Sequence, residues 1–264
     1  MKIVSLYAKQ IARSVLTQTS PGYRFLLMRD HRISGPNGYP DAPWANNVLK
    51  TQGDVDKAIE QIRNLELPLM ADPPKNWDSL AALDLILRNT TKDARVFDAG
   101  GEVYSVILPW LFLYGYKNLI AGNLVFRSRI KRGPIVYEYA DITKTEFSPA
   151  TFDIITCLSV IEHGVNLDSY FKEMSRLLRP KGILITSTDY NETPLVTAGR
   201  MAYGAPIHIF TRDEINRALA TAREFGLMPI GPIDLTSQDK VVHWKEYDLH
   251  YTFIMFSLRK ELDT

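Results

Sequence analysis

The sequence predicts an α/β fold: an open, mostly parallel sheet covered by helices on both faces, preceded by accessory helices. Three observations carry this reading. From residue 77 onward, short apolar runs alternate with stretches of helical periodicity, the pattern of strands joined by crossover helices. The first apolar run ends in Gly100-Gly101, a pair that lets a strand turn tightly into the next element. The final run, His250 to Leu258, is apolar at successive positions, as a strand buried on both faces must be.

The elements follow in order. Residues 1–29 carry Lys2, Lys9, Arg13, Arg24 and Arg29 with no acid before Asp30, and Ile3, Leu6, Tyr7, Ile11 and Val15 recur at helical spacing. Such a basic amphipathic helix can lie on anionic lipid, though more often one packs on its own domain or on a partner subunit; membrane-surface contact and a homo-oligomer both stay open. Residues 30–53 are rich in Gly, Pro, Asn and Asp and read as a loop. A helix follows, with Asp54 as its expected cap and Val55, Ile59, Ile62 and Leu65 on one face. Pro68, Pro73 and Pro74 break the chain. We therefore divide it into an accessory segment, residues 1–76, and a main domain, residues 77–264.

Within the main domain a helix is expected to cap at Asp78. Strand one is Arg95 to Ala99, and an apolar helix spans Val103 to Tyr114, kinked at Pro109. Strands two and three cover Asn118–Leu124 and Ile135–Tyr139. Strand four is Phe152–Leu158, a helix spans Asp168–Leu178, and strand five is Ile183–Ser187. Thr211 opens a further helix, and late strands lie near Met228–Ile230 and Tyr251–Leu258. Ligands in such folds bind at the carboxyl ends of the strands.

Composition narrows the function. The formal net charge is +1, which argues against a nucleic-acid footprint. Cys157 is the lone cysteine, so a reduced, cytoplasmic compartment is expected. No apolar run approaches the ~20 residues of a membrane span, and Lys9 and Gln10 interrupt any signal-like stretch.

Five features in order resemble the class I S-adenosylmethionine-dependent methyltransferase superfamily. Val96-Phe97-Asp98-Ala99-Gly100-Gly101 is similar to its first motif, Asp-x-Gly-x-Gly-x-Gly; Asp98 and Gly100 match, while Glu102 and Tyr104 replace the second and third glycines. Asn123 stands where an acid usually grips the cofactor ribose. Asp141, followed by Ile142, matches the acid that meets the adenine amino group. Strand four continues into Ser159-Val160-Ile161-Glu162-His163, and Leu178-Arg179-Pro180-Lys181-Gly182 resembles the turn before strand five. The resemblance covers residues 77–258. It implies a Rossmann-like, seven-stranded, mostly parallel sheet with an antiparallel C-terminal strand, and S-adenosyl-L-methionine as cofactor. Asp98, Gly100, Gly101, Glu102, Asn123, Asp141, Ile142 and Ser159 are then the cofactor-binding candidates. Glu102 would pair with the methionine ammonium, and the helix after strand one would present its free N–H groups to the carboxylate. A dinucleotide oxidoreductase would want Gly-x-Gly-x-x-Gly after strand one, and Gly100-Gly101-Glu102-Val103-Tyr104-Ser105 does not fit.

Methyl transfer to a hydroxyl needs a proton acceptor. His163 is the first candidate, and Asp189 and His208 join it from the long stretch after strand five, which also holds Tyr190, Asn191, Arg200 and Tyr203. No diagnostic metal-ligand spacing links Glu162, His163, Asp189 and His208, so no metal is expected. The mixed polar and aromatic run Asp239–Tyr247 suits sugar recognition or a subunit interface. Together with a likeness to glycan and natural-product pathway methyltransferases, this points to O-methylation of a small polar acceptor such as a sugar hydroxyl, with no nucleic acid involved. A lipid or quinone methyltransferase at a membrane surface, and a non-catalytic scaffold, are the alternatives.

Overall fold

The computed structural model describes residues 12–197, 199–202 and 204–262. Most of the expected N-terminal amphipathic helix (Ile3, Leu6, Tyr7, Ile11) and Tyr203 lie outside these residues.

Five parallel strands form the centre of the sheet: β1 (Arg95–Ala99), β2 (Asn118–Gly122), β4 (Ile135–Glu138), β5 (Phe152–Leu158) and β6 (Leu178–Tyr190). They run in the spatial order β6-β5-β1-β2-β4. The last strand, β11 (Leu249–Lys260), pairs antiparallel with β6, and β9 (Leu227–Pro229) pairs antiparallel with the far end of β11. These seven are the expected Rossmann-like sheet. Two short edge strands, β3 (Ile130–Arg132) and β10 (Val242–Trp244), bring it to nine among the described residues. A separate small hairpin, β7 (Met201–Ala202) with β8 (Ala205–Pro206), lies in the long stretch after β6.

Side chains alternate across the sheet, as a pleated strand demands. Val96, Ile154, Ile183, Ile185, Phe253 and Met255 join one core; Phe97, Ile155, Cys157, Leu184 and Phe256 join the other. The first core is covered by α1 (Ser20–His31), α2 (Gln52–Asn64), α3 (Lys75–Asn89) and α4 (Ile107–Leu113), the second by α5 (Leu167–Leu177) and α6 (Arg212–Glu224).

Local chemistry moves several expected boundaries. The cap of α2 is Thr51, not Asp54: Asp54 is the third helical residue, and its carboxylate accepts from the Thr51 backbone N–H in a reciprocal capping box. Thr211 and Glu214 form the same box at α6. Helix α3 begins at Lys75, directly after Pro74, so Asp78 lies inside its first turn rather than capping it. The helix after β1 starts at Ile107, not at Val103, and Pro109 does not kink it. Pro109 falls in the first turn, where its missing N–H would have had no helical partner. The expected turn Leu178–Gly182 is absorbed into β6. Phe152 pairs with Leu178 and Ile154 with Ile183, so the intervening residues bulge out, with Lys181 at φ 68°.

A further strip of chain was not visible as a strand. Between β10 and β9 the outer edge of β11 is occupied by residues 46–50. The Leu49 N–H donates to the Phe253 carbonyl (2.9 Å), the Met255 N–H donates to the Asn47 carbonyl (3.0 Å), and the Ser257 N–H donates to Asn46 Oδ1 (2.7 Å). The accessory segment thereby fills an edge of the main sheet that would otherwise expose unpaired backbone.

Candidate functional site

The strand order reverses between β1 and β5: the chain runs outward through β2 and β4 on one side and through β6 and β11 on the other. The crevice at such a switch point is where an open α/β sheet receives a ligand. Here it is lined from β1 by Asp98, Gly100 and Gly101, from the end of β5 by Ser159 and Val160, and from the first turn of α3 by Lys75, Asp78 and Ser79.

Asp98 and Thr156 face each other in the β1–β5 register, and the Thr156 hydroxyl donates to Asp98 Oδ1 at 2.8 Å. Asp98 Oδ2 and Ser159 Oγ, both buried, find no hydrogen-bond partner among the described residues. A native fold pairs its buried polar atoms almost without exception, so two orphans facing one crevice mark a place for a ligand's polar groups. Burial pushes the Asp98 carboxyl up to about 7, the Thr156 hydroxyl only partly opposing it. Gly101 is required beneath it, since a Cβ there would lie 2.0 Å from Asp98 Oδ2. Gly100 adopts φ +83°, a conformation glycine tolerates, and the Val160 side chain packs directly on it.

The remaining cofactor candidates divide. Asn123 spends its side chain on backbone: Nδ2 donates to the Gly100 carbonyl (2.7 Å) and Oδ1 accepts from the Val125 N–H (3.2 Å), tying the loop after β2 to the turn after β1. Asp141 Oδ1 accepts from the Thr143 backbone and hydroxyl (2.9 and 2.6 Å), a local turn after β4, and Ile142 beside it is buried. Glu102 is not among the residues lining the crevice, whereas Tyr104, 65% exposed, stands at its mouth. The turns between Gly101 and Ile107 leave α4 only seven residues long, so the expected long helix is not there to aim its N-terminus at the crevice.

Beyond Ser159 lies a group of acids of which the sequence singles out Asp189 and Glu162 but not Asp78. Asp78, Glu162 (3% exposed) and Asp189 (7% exposed) come from α3, the loop after β5 and the end of β6, and all lie within electrostatic reach of the Lys75 ammonium. Ser187 donates to Asp78 Oδ2 (2.5 Å) and Thr188 to Glu162 Oε2 (2.9 Å). Burial raises Asp78 to about 6 and Glu162 to about 7, Lys75 lowering both less than burial raises them. Asp189 is pushed well above the carboxylate range by burial and by Glu162, against the pull of Lys75. Burial alone would lower the Lys75 ammonium, but the surrounding acids hold it above its ordinary value. His163, half-buried next to this group, is lowered by burial and by Lys75. His208 is elsewhere. It pairs with Glu214 (3.5 Å), packs edge-on against Phe210 and lines a separate hollow with Ile161 and Arg217. Tyr190 donates to the Leu235 carbonyl and Asn191 to the Thr193 carbonyl, both local supports.

A switch-point crevice with two orphaned polar atoms, walled by buried acids, is a place in an α/β fold for a small polar ligand. Residues 118–186 match the family model described as a methyltransferase domain. No curated protein matches the sequence. Among solved structures, the [4+2]-cyclase SpnF is 13% identical, with a TM-score of 0.50, covering 87% of this chain and 100% of its own; that likeness is one of fold. An S-adenosylmethionine-dependent methyltransferase from Mesorhizobium loti is 16% identical (TM-score 0.48, covering 70% of this chain and 98% of its own). Phosphoethanolamine N-methyltransferase 2 from Haemonchus contortus, solved with S-adenosyl-L-methionine, is 13% identical (TM-score 0.49, covering 67% and 52%). The match over residues 118–186 and the sheet order support a methyltransferase domain of the Rossmann-like, S-adenosylmethionine-dependent kind, for which S-adenosyl-L-methionine is the cofactor.

The residues present fit the amino-acid end of that cofactor: Asp98 Oδ2 lacks a donor and Ser159 Oγ lacks a partner in the same crevice. The crevice volume, about 80 Å³, takes only a few water-sized groups.

Proposed function

We propose that the chain transfers a methyl group from S-adenosyl-L-methionine to a hydroxyl of a small polar acceptor such as a sugar, in glycan or natural-product biosynthesis. The observation that carries the reading is the buried group Asp78, Glu162 and Asp189 around Lys75, adjoining the crevice. Bound in the crevice, the cofactor supplies a methyl group activated on a sulfonium. The chain supplies alignment, exclusion of water and a proton sink. A carboxyl that titrates near neutrality is matched to accepting a proton from a hydroxyl at the moment it is attacked. Glu162 and Asp189 interact strongly, so the apparent titration belongs to the pair. Lys75 opposes the rise of both, and His163, lowered by burial and by Lys75, is a second acceptor within the same neighbourhood.

One observation favours a second reading. The three buried acids outnumber the single lysine, and an amine acceptor that binds as its ammonium would supply the missing positive charge and then give one proton to a neighbouring carboxylate, freeing the nitrogen lone pair for transfer. The same assay separates the two. The chain is incubated with methyl-labelled cofactor and a panel of small sugars, polyols and amines, and the product is read by NMR for an O-methyl or N-methyl signal. Calorimetry with S-adenosylhomocysteine comes first: binding is expected in the micromolar range. No heat at about 1 mM defeats the methyltransferase reading altogether. With an acceptor in hand, Glu162→Gln and Asp189→Asn should each lower kcat and shift or flatten the acid limb of the pH profile. Unchanged profiles in both remove the proton sink.

A further inference from the structure

We propose that the β10–β11 hairpin carries a divalent transition-metal site formed by His243, Asp248 and His250, independent of the cofactor crevice. His243 and His250 are direct cross-strand partners, so their side chains share one face of the hairpin. Their rings stack 4.0 Å apart at 12°. Asp248, held at φ 50° where the turn enters β11, directs Oδ1 to within 3.2 Å of His243 Nε2 and 3.6 Å of His250 Nε2. One ligand atom from each residue lies within 4.8 Å of the other two, and this is the only such group of three or more His, Cys, Asp or Glu side chains among the described residues.

The distances decide what the cluster fits. Nitrogen and oxygen ligands about 2.0–2.2 Å from a tetrahedral zinc ion stand about 3.3–3.6 Å apart along each edge. The two measured edges, 3.2 and 3.6 Å, bracket that range without any backbone movement. Parallel rings cannot both hold one ion in their planes, so binding requires the imidazoles to splay about χ2. That torsion is broad for histidine, and all three residues are exposed. Two imidazoles with one carboxylate suit zinc, nickel or copper rather than magnesium or calcium, which prefer all-oxygen shells. Three protein ligands leave a fourth position for water. The site would cross-link a hairpin that stands at the carboxyl end of the parallel strands. The strand bearing His250 continues into Tyr251, whose hydroxyl lies beside Asp189.

The test uses the full chain and Zn²⁺ alone. After treatment with a chelator, titration calorimetry should show one equivalent bound, with the His243 and His250 ring resonances shifting together. His243→Ala and His250→Ala should each weaken binding at least about tenfold, a loss in the range typical of disturbed metal sites. Cys157 is buried and offers no competing thiolate. Because the three side chains are exposed, the variants should keep the parent melting temperature in chelator, and binding of S-adenosylhomocysteine should not change. No heat up to about 1 mM Zn²⁺, or parent-like affinity in the His243→Ala/His250→Ala double variant, overturns the proposal.

Discussion

Replacing Asp98 by Asn should make the protein more stable at pH 8 and bind its cofactor less well. Asp98 is 3% exposed, and one of its oxygens has no partner. Its carboxyl rises from an ordinary 3.8 to about 7 because burial penalises the charge. At ~1.36 kcal/mol per tenfold change in proton affinity, the ionised form costs the fold about 4 kcal/mol relative to the protonated one. A folded-state value above the unfolded one means that stability is fully present below pH ~4 and is lost as the pH rises through ~7. Asparagine keeps the acceptor for Thr156 and never ionises. The difference in unfolding free energy, variant minus parent, should therefore climb by about 2–4 kcal/mol between pH 4.5 and pH 8. Subtracting the parent isolates the effect, because only burial and Thr156 contribute to the Asp98 shift and the acids around Lys75 do not. Urea titrations at four pH values measure it, with equal m-values confirming that the same transition is compared. The bound homocysteine analogue should stabilise the parent more at pH 8 than at pH 5 and the variant by less at both. A difference that stays flat with pH refutes the claim that Asp98 is a buried charge awaiting a ligand.

Further outcomes follow from the same geometry. Gly101→Ala places a Cβ 2.0 Å from Asp98 Oδ2 and should cost about 2 kcal/mol or more of stability, read as a lowered urea midpoint together with weakened analogue binding. Asn46→Ala strips the acceptor from the buried Ser257 N–H and hydroxyl and a donor from the Ile230 carbonyl. A loss of about 2–3 kcal/mol is expected, with hydrogen exchange speeding at Ser257 and at neighbouring amides of β11. Arg176→Ala removes the cation that, with Thr145, outweighs burial and holds Glu173 below its ordinary range. Because a lowered carboxyl stabilises above its unfolded value and loses that effect on protonation, the variant should melt lower at pH 7 and the gap to the parent should close as Glu173 protonates in acid.

Much of the sheet was legible because its signals are local. Phe152–Leu158 is a strand with the expected ends, since six apolar or β-branched residues and the single Asp153, between an Ala-Thr turn and a serine, leave little choice. The Thr211 cap of α6 was also recoverable from its Thr-x-x-Glu spacing. The same box at Thr51 is masked in the sequence because its reciprocal partner is an aspartate, itself a good cap residue. Residues 46–50 carry no period-2 signal. They lie on β11 through backbone bonds and one asparagine, contacts between positions about 200 apart in sequence that no window can see. Asp189 and Glu162 were legible as candidates, but their grouping with Asp78 and Lys75 was not, for a similar reason. Asp98 and Ser159 were reachable from strand ends, but Asp78 looked like a cap and Lys75 like part of a linker. Only the packing of the first turn of α3 over the ends of β5 and β6 brings them to Glu162 and Asp189.

The distribution of buried acids separates structure from function in this chain. Asp84 and Glu173 are buried too, yet each has an arginine of its own: Arg88 reaches Asp84 at 2.8 Å and Arg176 reaches Glu173 at 2.6 Å. Glu173 is accordingly held low. Asp78, Asp98, Glu162 and Asp189 have no arginine; three of them share Lys75, Asp98 has no cation at all, and all four are pushed up. A fold selected for stability alone would replace such groups, because a buried carboxylate without its own partner is a net cost. All four gather at the carboxyl ends of β1, β5 and β6, the end at which the strand order reverses. Under the proposed reading their cost is offset when ligands bind there: the charge they lack is positive, which suits the cationic head of the cofactor beside Asp98 and a proton released by the acceptor beside Glu162 and Asp189.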